Sequence, residues 1–409
     1  MKNTETASSG HPSALPDNYY WFFILYMVAL SAFGSFVNDM YTPSLPAMAR
    51  GFHTSAPVVL LGLSLGMAGL GLGQVILGPV SDKVGRKPVL TWSLILFTVA
   101  CVVSVFSPTI EFFLVCRFFQ GIGASSGYFL GRTMPADVTG GRTLAKMMAI
   151  IGAINGVAPA SAPVLGGILA DWHGWQSVFV VLALMSVALL AFLPRLRESL
   201  PPSRRQKGSL WKSFGAYGSL FRNRPFMTHV LLKGAALGLL FAYMSASPFI
   251  LQEHYGLSQT LFGLVMGFNA LFTALGSFLA LRFKPLKKAA FAGGILLFVS
   301  FAGEAVSLWC IHSFWVFEAW MIPAVFGLGL IFTPANTLAM NEGRADAGTS
   351  SAVLGVTGYI FGMIVTPLVG LGDVLHSTAI VFMVLGVLVA VVAYASVRLA
   401  PDLDPAEQK

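Results

Sequence analysis

Two ionisable side chains stand inside long apolar stretches of the chain. Asp39 lies in the stretch 20–46, and Arg117 lies in the stretch 110–132. A charge in the middle of a bilayer costs at least about 2.5–3.5 kcal/mol, so a charged residue that persists there is a candidate for function. Arginine keeps its proton, whereas a carboxylate gains or loses one. Asp39 is therefore the candidate for proton chemistry, and Arg117 is the candidate for its partner.

The depths of Asp39 and Arg117 predict that the two residues can pair. If each stretch is a spanning helix, both residues lie about seven residues, or about 10 Å, below the same membrane surface. An ion pair that closes in one conformation and opens in another changes how tightly the carboxyl group holds its proton. Such a pair couples proton binding to movement. A static ion pair that only supports the fold is the alternative.

Twelve apolar stretches of the chain are long enough to cross a bilayer as helices, and two of them contain Asp39 and Arg117. Only 10% of the residues are charged and 56% are hydrophobic, whereas a soluble domain has about 25% charged residues. A spanning helix needs about 20 largely apolar residues, and continuous rather than alternating apolar runs favour helices over barrel strands. The predicted spans are 20–46, 56–79, 89–107, 110–132, 142–170, 174–194, 225–251, 258–282, 288–310, 314–338, 346–370 and 376–399.

Lysine and arginine residues predict the orientation of the chain. If both termini are cytoplasmic, all 25 basic residues fall in cytoplasmic segments except Arg50, which lies outside, and Arg117 and Lys233, which lie in spans. This distribution follows the positive-inside rule, so the net charge of +8 does not indicate nucleic-acid binding. The expected organisation is a cytoplasmic tail at 1–19, a six-helix bundle at 20–194, a basic cytoplasmic linker at 195–224, a second six-helix bundle at 225–400 and a cytoplasmic tail at 401–409.

The segment between the second and third spans has the residue types of a conformational latch. It reads Gly78-Pro79-Val80-Ser81-Asp82-Lys83-Val84-Gly85-Arg86-Lys87-Pro88. Glycines permit a tight turn and close approach of helices, and Asp82 can pair with a nearby arginine or sit at a helix N-terminus. A solvated basic loop is the alternative. The residues expected to hold and release one conformation are Gly78, Asp82, Gly85, Arg86 and Lys87.

This segment resembles the signature loop of the major facilitator superfamily. The run Arg117-Phe118-Phe119-Gln120-Gly121-Ile122-Gly123 is similar to the fourth-helix motif of that superfamily, whose arginine is tied to proton coupling. In the fifth span, Ala162-Pro163-Val164-Leu165-Gly166-Gly167 is similar to its antiporter motif, with Ala162 in place of the usual glycine. The resemblance implies export, with Pro159, Pro163, Gly166 and Gly167 as the antiporter-like residues.

Two further motifs resemble the Bcr/CflA drug-resistance subfamily of twelve-span drug:proton antiporters. They are Asp39-Met40-Tyr41-Thr42-Pro43-Ser44-Leu45-Pro46 and Ser247-Pro248-Phe249. The resemblance implies an all-α membrane protein with the major facilitator fold, in which twelve transmembrane helices form two six-helix bundles. The pattern departs at Thr133, where an acid is expected, and at Ser31, where some drug exporters have a glutamate.

Polar residues recur along one face of the first and seventh spans, and both faces are predicted to line a cavity between the bundles. Lys233 is either a cavity charge or a residue that extends to the interface. We expect His229 at the interface, Glu304 in a buried hydrogen bond and Glu318 at the outer mouth. Aromatic and methionine side chains suit varied ligands. The predicted substrate-binding residues are Tyr26, Ser35, Asn38, Asp39, Tyr41, Gln120, Tyr128, Lys233, Tyr243, Met244, Phe332 and Asn336.

The sequence predicts a transporter rather than an enzyme. It contains neither a phosphate loop with a Gly-Lys-Ser/Thr core nor an HExxH zinc pair. We therefore expect no cofactor and no metal, and an ion gradient as the energy source. The leading interpretation is proton-driven export of amphiphilic drugs or metabolites by alternating access.

The expected partners are a small-molecule substrate, protons and the lipid bilayer, without nucleic acid. The expected protein is a monomer in the bacterial inner membrane, with both termini in the cytoplasm. Two other interpretations stay open. One is a proton-coupled symporter that imports a nucleoside, sugar or amino acid, and the other is a membrane sensor or scaffold without transport.

Overall fold

The structure, a computed structural model, describes residues 16–205, 215–344 and 347–399. Every regular element in these ranges is a helix. The predicted tail at 401–409, most of the predicted tail at 1–19 and the middle of the predicted linker at 195–224 lie outside the described residues.

Twelve long helices make up the protein in the described ranges, and we number them α1–α12. The first half consists of α1 (Asp17–Asp39), α2 (Ala56–Val84), α3 (Arg86–Val105), α4 (Ile110–Val138), α5 (Gly141–His173) and α6 (Gln176–Phe192). The second half consists of α7 (Arg224–Pro248), α8 (Gln259–Ala280), α9 (Leu286–Val306), α10 (Phe314–Glu342), α11 (Ala347–Leu368) and α12 (Val374–Leu399).

Eleven helices in the described part of the chain are long and apolar enough to cross a membrane. The remaining long helix, α4, has a similar length of 29 residues and contains four charged residues, Glu111, Arg117, Arg132 and Asp137. The predicted all-α membrane fold with twelve spanning helices is confirmed.

Short helical turns extend several of the long helices. After α1, a 3-10 turn at Thr42–Ser44 leads into a short helix at Leu45–Gly51. A proline lies near the start of each of these two segments. Its missing N–H costs nothing there, because the first N–H groups of a helix have no partner within the helix. The chain therefore bends just beyond Asp39. Other short helices lie at Leu193–Arg195, Pro202–Arg204, Gly215–Arg222, Phe249–His254 and Ser307–Ile311.

Glycines allow the helices within each half to cross at backbone contact. A Cβ atom at Gly69 or Gly121 would overlap the backbone where α2 crosses α4. Gly276 and Gly329 have the same role where α8 crosses α10 in the second half. Because neighbouring spans gain little from the hydrophobic effect in lipid, close packing of small residues is a main source of helix association.

The two halves meet mainly through two helix pairs, α5 with α8 and α2 with α11. In the first pair, Gly167 lies against the backbone of Gln259, and Gly263 lies against the backbone of Pro163. These two contacts lie toward one end of the bundle. The space between the two halves is therefore closed at one end, and along the rest of its length it can form a cavity.

Candidate functional site

A cavity of about 1070 Å³ lies between the two halves. Its residues come from α1, α2, α4, α5 and the start of α3 on one side and from α7, α8, α10 and α11 on the other. This volume is at the upper end of the range of about 300–1,000 Å³ for small-molecule pockets. The predicted substrate-binding residues that line it are Ser35, Asn38, Asp39, Tyr128, Lys233, Tyr243, Met244 and Phe332.

Three predicted cavity residues face other helices instead. The Tyr26 hydroxyl donates to the Leu189 carbonyl oxygen of α6 at 3.0 Å. Gln120 and Tyr41 are fully buried beside Arg117. The prediction was wrong for these residues, because a polar or aromatic helix face also forms where two helices pack. Asn336 is outside the cavity lining, and its side-chain oxygen accepts a hydrogen bond from the Lys233 ammonium group at 2.8 Å.

The cavity extends to the end of the bundle that carries the segment 78–88, which we call the motif end. Gly78, Asp82 and Arg86 line it there. At the other end, which we call the closed end, polar contacts join the two halves. These contacts are Asp171 Oδ2 with the Thr260 backbone N–H at 2.9 Å and hydroxyl at 2.6 Å, Gln252 Nε2 with the Pro43 carbonyl oxygen at 2.8 Å, and the ion pair of Arg50 with Glu253 at 3.0 Å.

Arg117 is fully buried between α1, α2 and α4. Its guanidinium group donates to Gln120 Oε1 at 2.6 Å and makes longer hydrogen bonds to the carbonyl oxygens of Gly62, at 3.4 Å, and Val37, at 3.5 Å. The guanidinium carbon lies 4.2 Å from the centroid of the Tyr41 ring. Neutral oxygens and an aromatic face thus surround this charge.

Asp39 lines the cavity, and within the described residues no ion pair joins it to Arg117. The predicted pair is therefore open in this conformation. The reason is that the Arg117 guanidinium group is held by the Val37 carbonyl oxygen of α1 and by the Tyr41 ring just beyond the end of α1, whereas Asp39 lies in the cavity lining. Asp39 and Arg117 were predicted to pair because they lie at equal depth, but the Asp39 side chain is not directed toward Arg117.

A pair of tyrosines stands beside Asp39 and links the two halves. Tyr128 of α4 and Tyr359 of α11 have ring centroids 6.3 Å apart and planes at 78°. Both hydroxyl groups lie close enough to the Asp39 carboxyl group and to the Arg132 guanidinium group to interact electrostatically. Ser35 lines the same part of the cavity. The tyrosine pair therefore has both an acidic and a basic side chain as neighbours inside the cavity.

The segment 78–88 is mostly helical rather than a loop. Helix α2 continues to Val84 and α3 begins at Arg86, so only Gly85 separates them. Gly85 has a φ of +119°, which an L side chain rarely adopts, so the turn requires glycine. Its Cα also lies close to Glu198 and Arg205, which leaves no room for a side chain.

Arg86 is the centre of a charged network at the motif end. It pairs with Asp82 at 2.5 Å and with Asp137 of α4 at 3.0 Å. The pairing of Asp82 with an arginine was predicted and is confirmed. Asp137 was not predicted as a partner; the available signal was an acid just beyond the apolar stretch 110–132, in the last turn of α4.

Glu198, in the described part of the linker, caps α3. Its two carboxylate oxygens accept the backbone N–H groups of Arg86 at 2.9 Å and Lys87 at 3.1 Å. The Lys87 ammonium group also donates to the Pro194 carbonyl oxygen at 3.2 Å. A carboxylate at a helix N-terminus is stabilised by the helix dipole. No spacing in the sequence connects Glu198 to this segment, so its role was missed.

The antiporter-like residues lie where α5 contacts both α1 and α8. Pro159 and Pro163 line the cavity. Gly166 packs against the Met40 carbonyl oxygen, and Gly167 packs against the Gln259 carbonyl oxygen of the other half. These glycines let α5 approach the bend after α1 and the start of α8 at the closed end.

The other ionisable residues of the spans are more deeply buried than expected. His229 was expected at the interface, but it is fully buried, with Nδ1 2.8 Å from the Pro225 carbonyl oxygen. Glu304 was expected in a buried hydrogen bond; it is buried, but neither of its oxygens has a hydrogen-bond partner among the described residues. Glu318, expected at the outer mouth, is 8% exposed and accepts a hydrogen bond from Asn269 Nδ2 at 3.0 Å. The length of an apolar stretch does not show whether an ionisable residue within it is buried between helices or lies at the membrane interface.

Solved structures of similar shape are transporters. A bacterial homolog of the human lysosomal transporter Spinster, in an inward-facing and unoccupied conformation, matches with a TM-score of 0.78 and 15% identity over 94% of this chain and 98% of that one. The xylose transporter XylE from E. coli, in a partially occluded inward-open conformation, matches with a TM-score of 0.73 and 14% identity over 94% and 99% of the two chains. At these identities the similarity shows the fold.

Sequence relatives extend over most of the chain. The uncharacterized MFS-type transporter YdgK of Bacillus subtilis (strain 168) is 34% identical over 362 residues, which are 86% of this chain and 88% of YdgK. The multidrug resistance protein MdtL of Klebsiella pneumoniae (strain 342) is 29% identical over 324 residues, or 78% and 80% of the two chains.

A family model described as Major Facilitator Superfamily matches residues 24–367, which include nine complete helices, α2 to α10, and most of α1 and α11. The relatives and the fold are those of membrane transporters, which are not enzymes and which bind small-molecule substrates. The chain is therefore a membrane transporter that belongs to the Major Facilitator Superfamily.

Proposed function

We propose that this transporter exports small amphiphilic molecules, drugs or metabolites, from a bacterial cytoplasm in exchange for protons. The observation that carries the proposal is the position of Asp39, a carboxyl group in the cavity at the point where α1 ends and the chain bends. The motifs that resemble the Bcr/CflA subfamily support it, as does the similarity to a protein named for multidrug resistance.

The proposed cycle alternates access between the two ends of the cavity. In the conformation described above, the cavity reaches the motif end, and polar contacts join the halves at the closed end. We assign the motif end to the cytoplasm because its loops carry most of the basic residues. In the opposite conformation, the closed end would open and the Arg86 network would hold the motif end together. The proposed transporter is a monomer in the inner membrane, with both termini cytoplasmic.

Proton coupling would depend on the distance between Asp39 and Arg117. In this conformation, Arg117 faces Tyr41 and Val37 on the other side of α1. A twist at the bend after Asp39 would bring the carboxylate toward the guanidinium group and release its proton, because a nearby positive charge favours the ionised form. Substrate and proton would then compete for the same conformations of α1.

The test of this proposal is transport in proteoliposomes under imposed pH gradients of both signs. A proton antiporter moves substrate against the direction of the proton gradient, whereas a symporter moves it in the same direction. Candidate substrates come from a susceptibility panel of chemically diverse antibiotics, applied to cells with and without the protein. Flux that follows the gradient in the symport direction, or flux that ignores the gradient, would contradict proton-driven export.

A further inference from the structure

We propose that Arg132 and Lys233 form a binding subsite for a carboxylate group, so that the substrates of this cavity are amphiphiles that carry an acidic group. The inference rests on the proposed function, since it names the substrate class of the same cavity. Arg132, one of the basic residues that the positive-inside rule assigned to cytoplasmic segments, lies in the cavity lining.

The two cations face one cavity from different halves of the protein. Arg132 lies in the last two turns of α4, and Lys233 lies in the third turn of α7. Both line the cavity, and they are close enough to interact electrostatically. A ligand group held by both would bridge the two halves, which is the position that a transported substrate occupies in an alternating-access transporter.

Neither cation has an acidic partner within the described residues. The Lys233 ammonium group donates to the neutral side-chain oxygen of Asn336 at 2.8 Å. The acids of the cavity lining are Asp39 and Asp82, and Asp82 pairs with Arg86. In the described part of the chain the cavity therefore holds two cations in proximity, neither of them in an ion pair, and this arrangement favours binding of an anion.

The chemistry of the two side chains suits a carboxylate. The guanidinium group presents a planar set of donors that matches two carboxylate oxygens, and the ammonium group adds a further charged donor. Repulsion between like charges in a partly apolar cavity is relieved when an anion binds between them. Binding energy for the anion therefore comes both from new charge-assisted hydrogen bonds and from the loss of this repulsion.

The neighbouring residues define the rest of the ligand. Tyr128 and Tyr359 line the same cavity as Arg132, and Tyr128 lies one helical turn before Arg132 on α4. An aromatic or apolar body can pack against these rings while the acid group reaches the two cations. Asp39 lines the same cavity, where it can accept a hydrogen bond from an amine. The subsite thus accommodates an anionic amphiphile, or a zwitterion whose two charges lie at opposite ends.

The alternative is that both cations are solvated side chains at the mouth of the cavity that attract only diffuse counterions. Equilibrium binding to the purified full-length protein distinguishes the two possibilities, because it needs no ion gradient. Three fluorescent probes share one dansyl body: dansyl-6-aminohexanoate carries a carboxylate, Nε-dansyl-lysine carries a carboxylate and an amine, and its methyl ester carries only the amine. Binding is measured in nanodiscs by the rise in dansyl fluorescence.

We expect both carboxylate probes to bind at least about tenfold more tightly than the ester, which corresponds to one charge-assisted hydrogen-bonded pair. Arg132→Gln and Lys233→Gln should each lower the affinity for the two carboxylate probes by about tenfold. The affinity for the ester should stay unchanged or rise. Arg132→Lys should retain part of the affinity because it keeps the charge. Arg142→Gln, at an exposed position outside the cavity lining, is the matched control and should bind all three probes as the wild type does.

Two results would overturn this inference. The first is equal affinity for the acids and the ester, or failure of the acids to bind at all. The second is loss of ester affinity equal to the loss of acid affinity in the glutamine variants, which would indicate a general change of the cavity. A wild-type preference for acids without any proton-driven flux would contradict the proposed function and leave the carboxylate subsite standing.

Discussion

At the scale of single residues, Asp39 and Arg117 were identified from the cost of a charge in an apolar stretch, and their depths were predicted from residue counts. Their directions could not be predicted in the same way. Whether a residue on α1 faces α4 or the cavity depends on how the helices are arranged around it, and the apolar length of a span carries no information about that arrangement. The position of Arg132 in the cavity was missed for a related reason. A count of apolar residues ends at the charge of Arg132, although α4 continues to Val138.

Arg117 carries the clearest prediction of stability at this scale. Replacing it with lysine keeps the charge, but it removes the planar donors that reach Gln120 and Gly62 and the contact with the Tyr41 ring. Loss of a hydrogen bond to a buried charge lowers the free energy of unfolding by about 1.5–3 kcal/mol. We expect Arg117→Lys to lower the thermal unfolding temperature of the purified protein by several degrees.

The control for this prediction is Arg142→Lys, a change of the same type at an exposed position of α5. It should leave the unfolding temperature within error of the wild type. If Arg117→Lys is equally stable, the neutral contacts around the guanidinium group contribute little, and the account of Arg117 as a buried and fixed partner is wrong.

At the scale of helices, all twelve spans were predicted from apolar length, but several of their ends were not. Helix α4 was expected to end at residue 132 and ends at Val138, and α2 runs to Val84 instead of residue 79. The reason is physical: backbone hydrogen bonding continues beyond the membrane core, whereas hydropathy reports only the part that lies in lipid. Two partners in the Arg86 network, Asp137 and Glu198, also escaped prediction, because they come from α4 and the linker.

Crossings of glycine-rich helices provide the prediction at this scale. Gly121 of α4 lies against the backbone of α2, so a larger side chain must push the two helices apart. We expect Gly121→Val to reduce the yield of folded protein and to lower its unfolding temperature strongly. Gly152→Val is the matched control, because a Cβ atom at Gly152 meets no atom within 4 Å.

Fluorescence-detected size-exclusion chromatography of both valine variants measures this difference. A folded, monodisperse Gly121→Val protein with the stability of the control would show that α2 and α4 do not depend on backbone contact. Valine is β-branched in both variants, so the comparison removes its small intrinsic effect on helices.

At the scale of the whole molecule, the arrangement of two halves around a cavity was predicted from the repeat of six spans and from family resemblance. Which end of the cavity is closed could not be predicted, because both conformations share one sequence and differ by contacts between the halves. The contacts at the closed end join residues more than 80 positions apart, such as Asp171 with Thr260.

These contacts predict a change of conformational balance. Asp171→Ala removes the acceptor of both hydrogen bonds from Thr260, so the halves should separate more often at the closed end. We expect faster hydrogen exchange at the end of α5 and the start of α8, measured by mass spectrometry in detergent. Asp373→Ala is the control: Asp373 lies at the same end but accepts its hydrogen bond from the His376 backbone within the second half. Similar exchange in the two variants would mean that Asp171 does not hold the halves together.

The central claim is that Asp39 exchanges its proton when substrate moves, and proton flux in everted membrane vesicles measures this most directly. Respiration acidifies the vesicle interior and quenches acridine orange, and a compound chosen from the susceptibility panel is then added. We predict a recovery of fluorescence with the wild type and with Asp373→Asn, and none with Asp39→Asn at equal expression. Recovery of the same size with Asp39→Asn would contradict the claim.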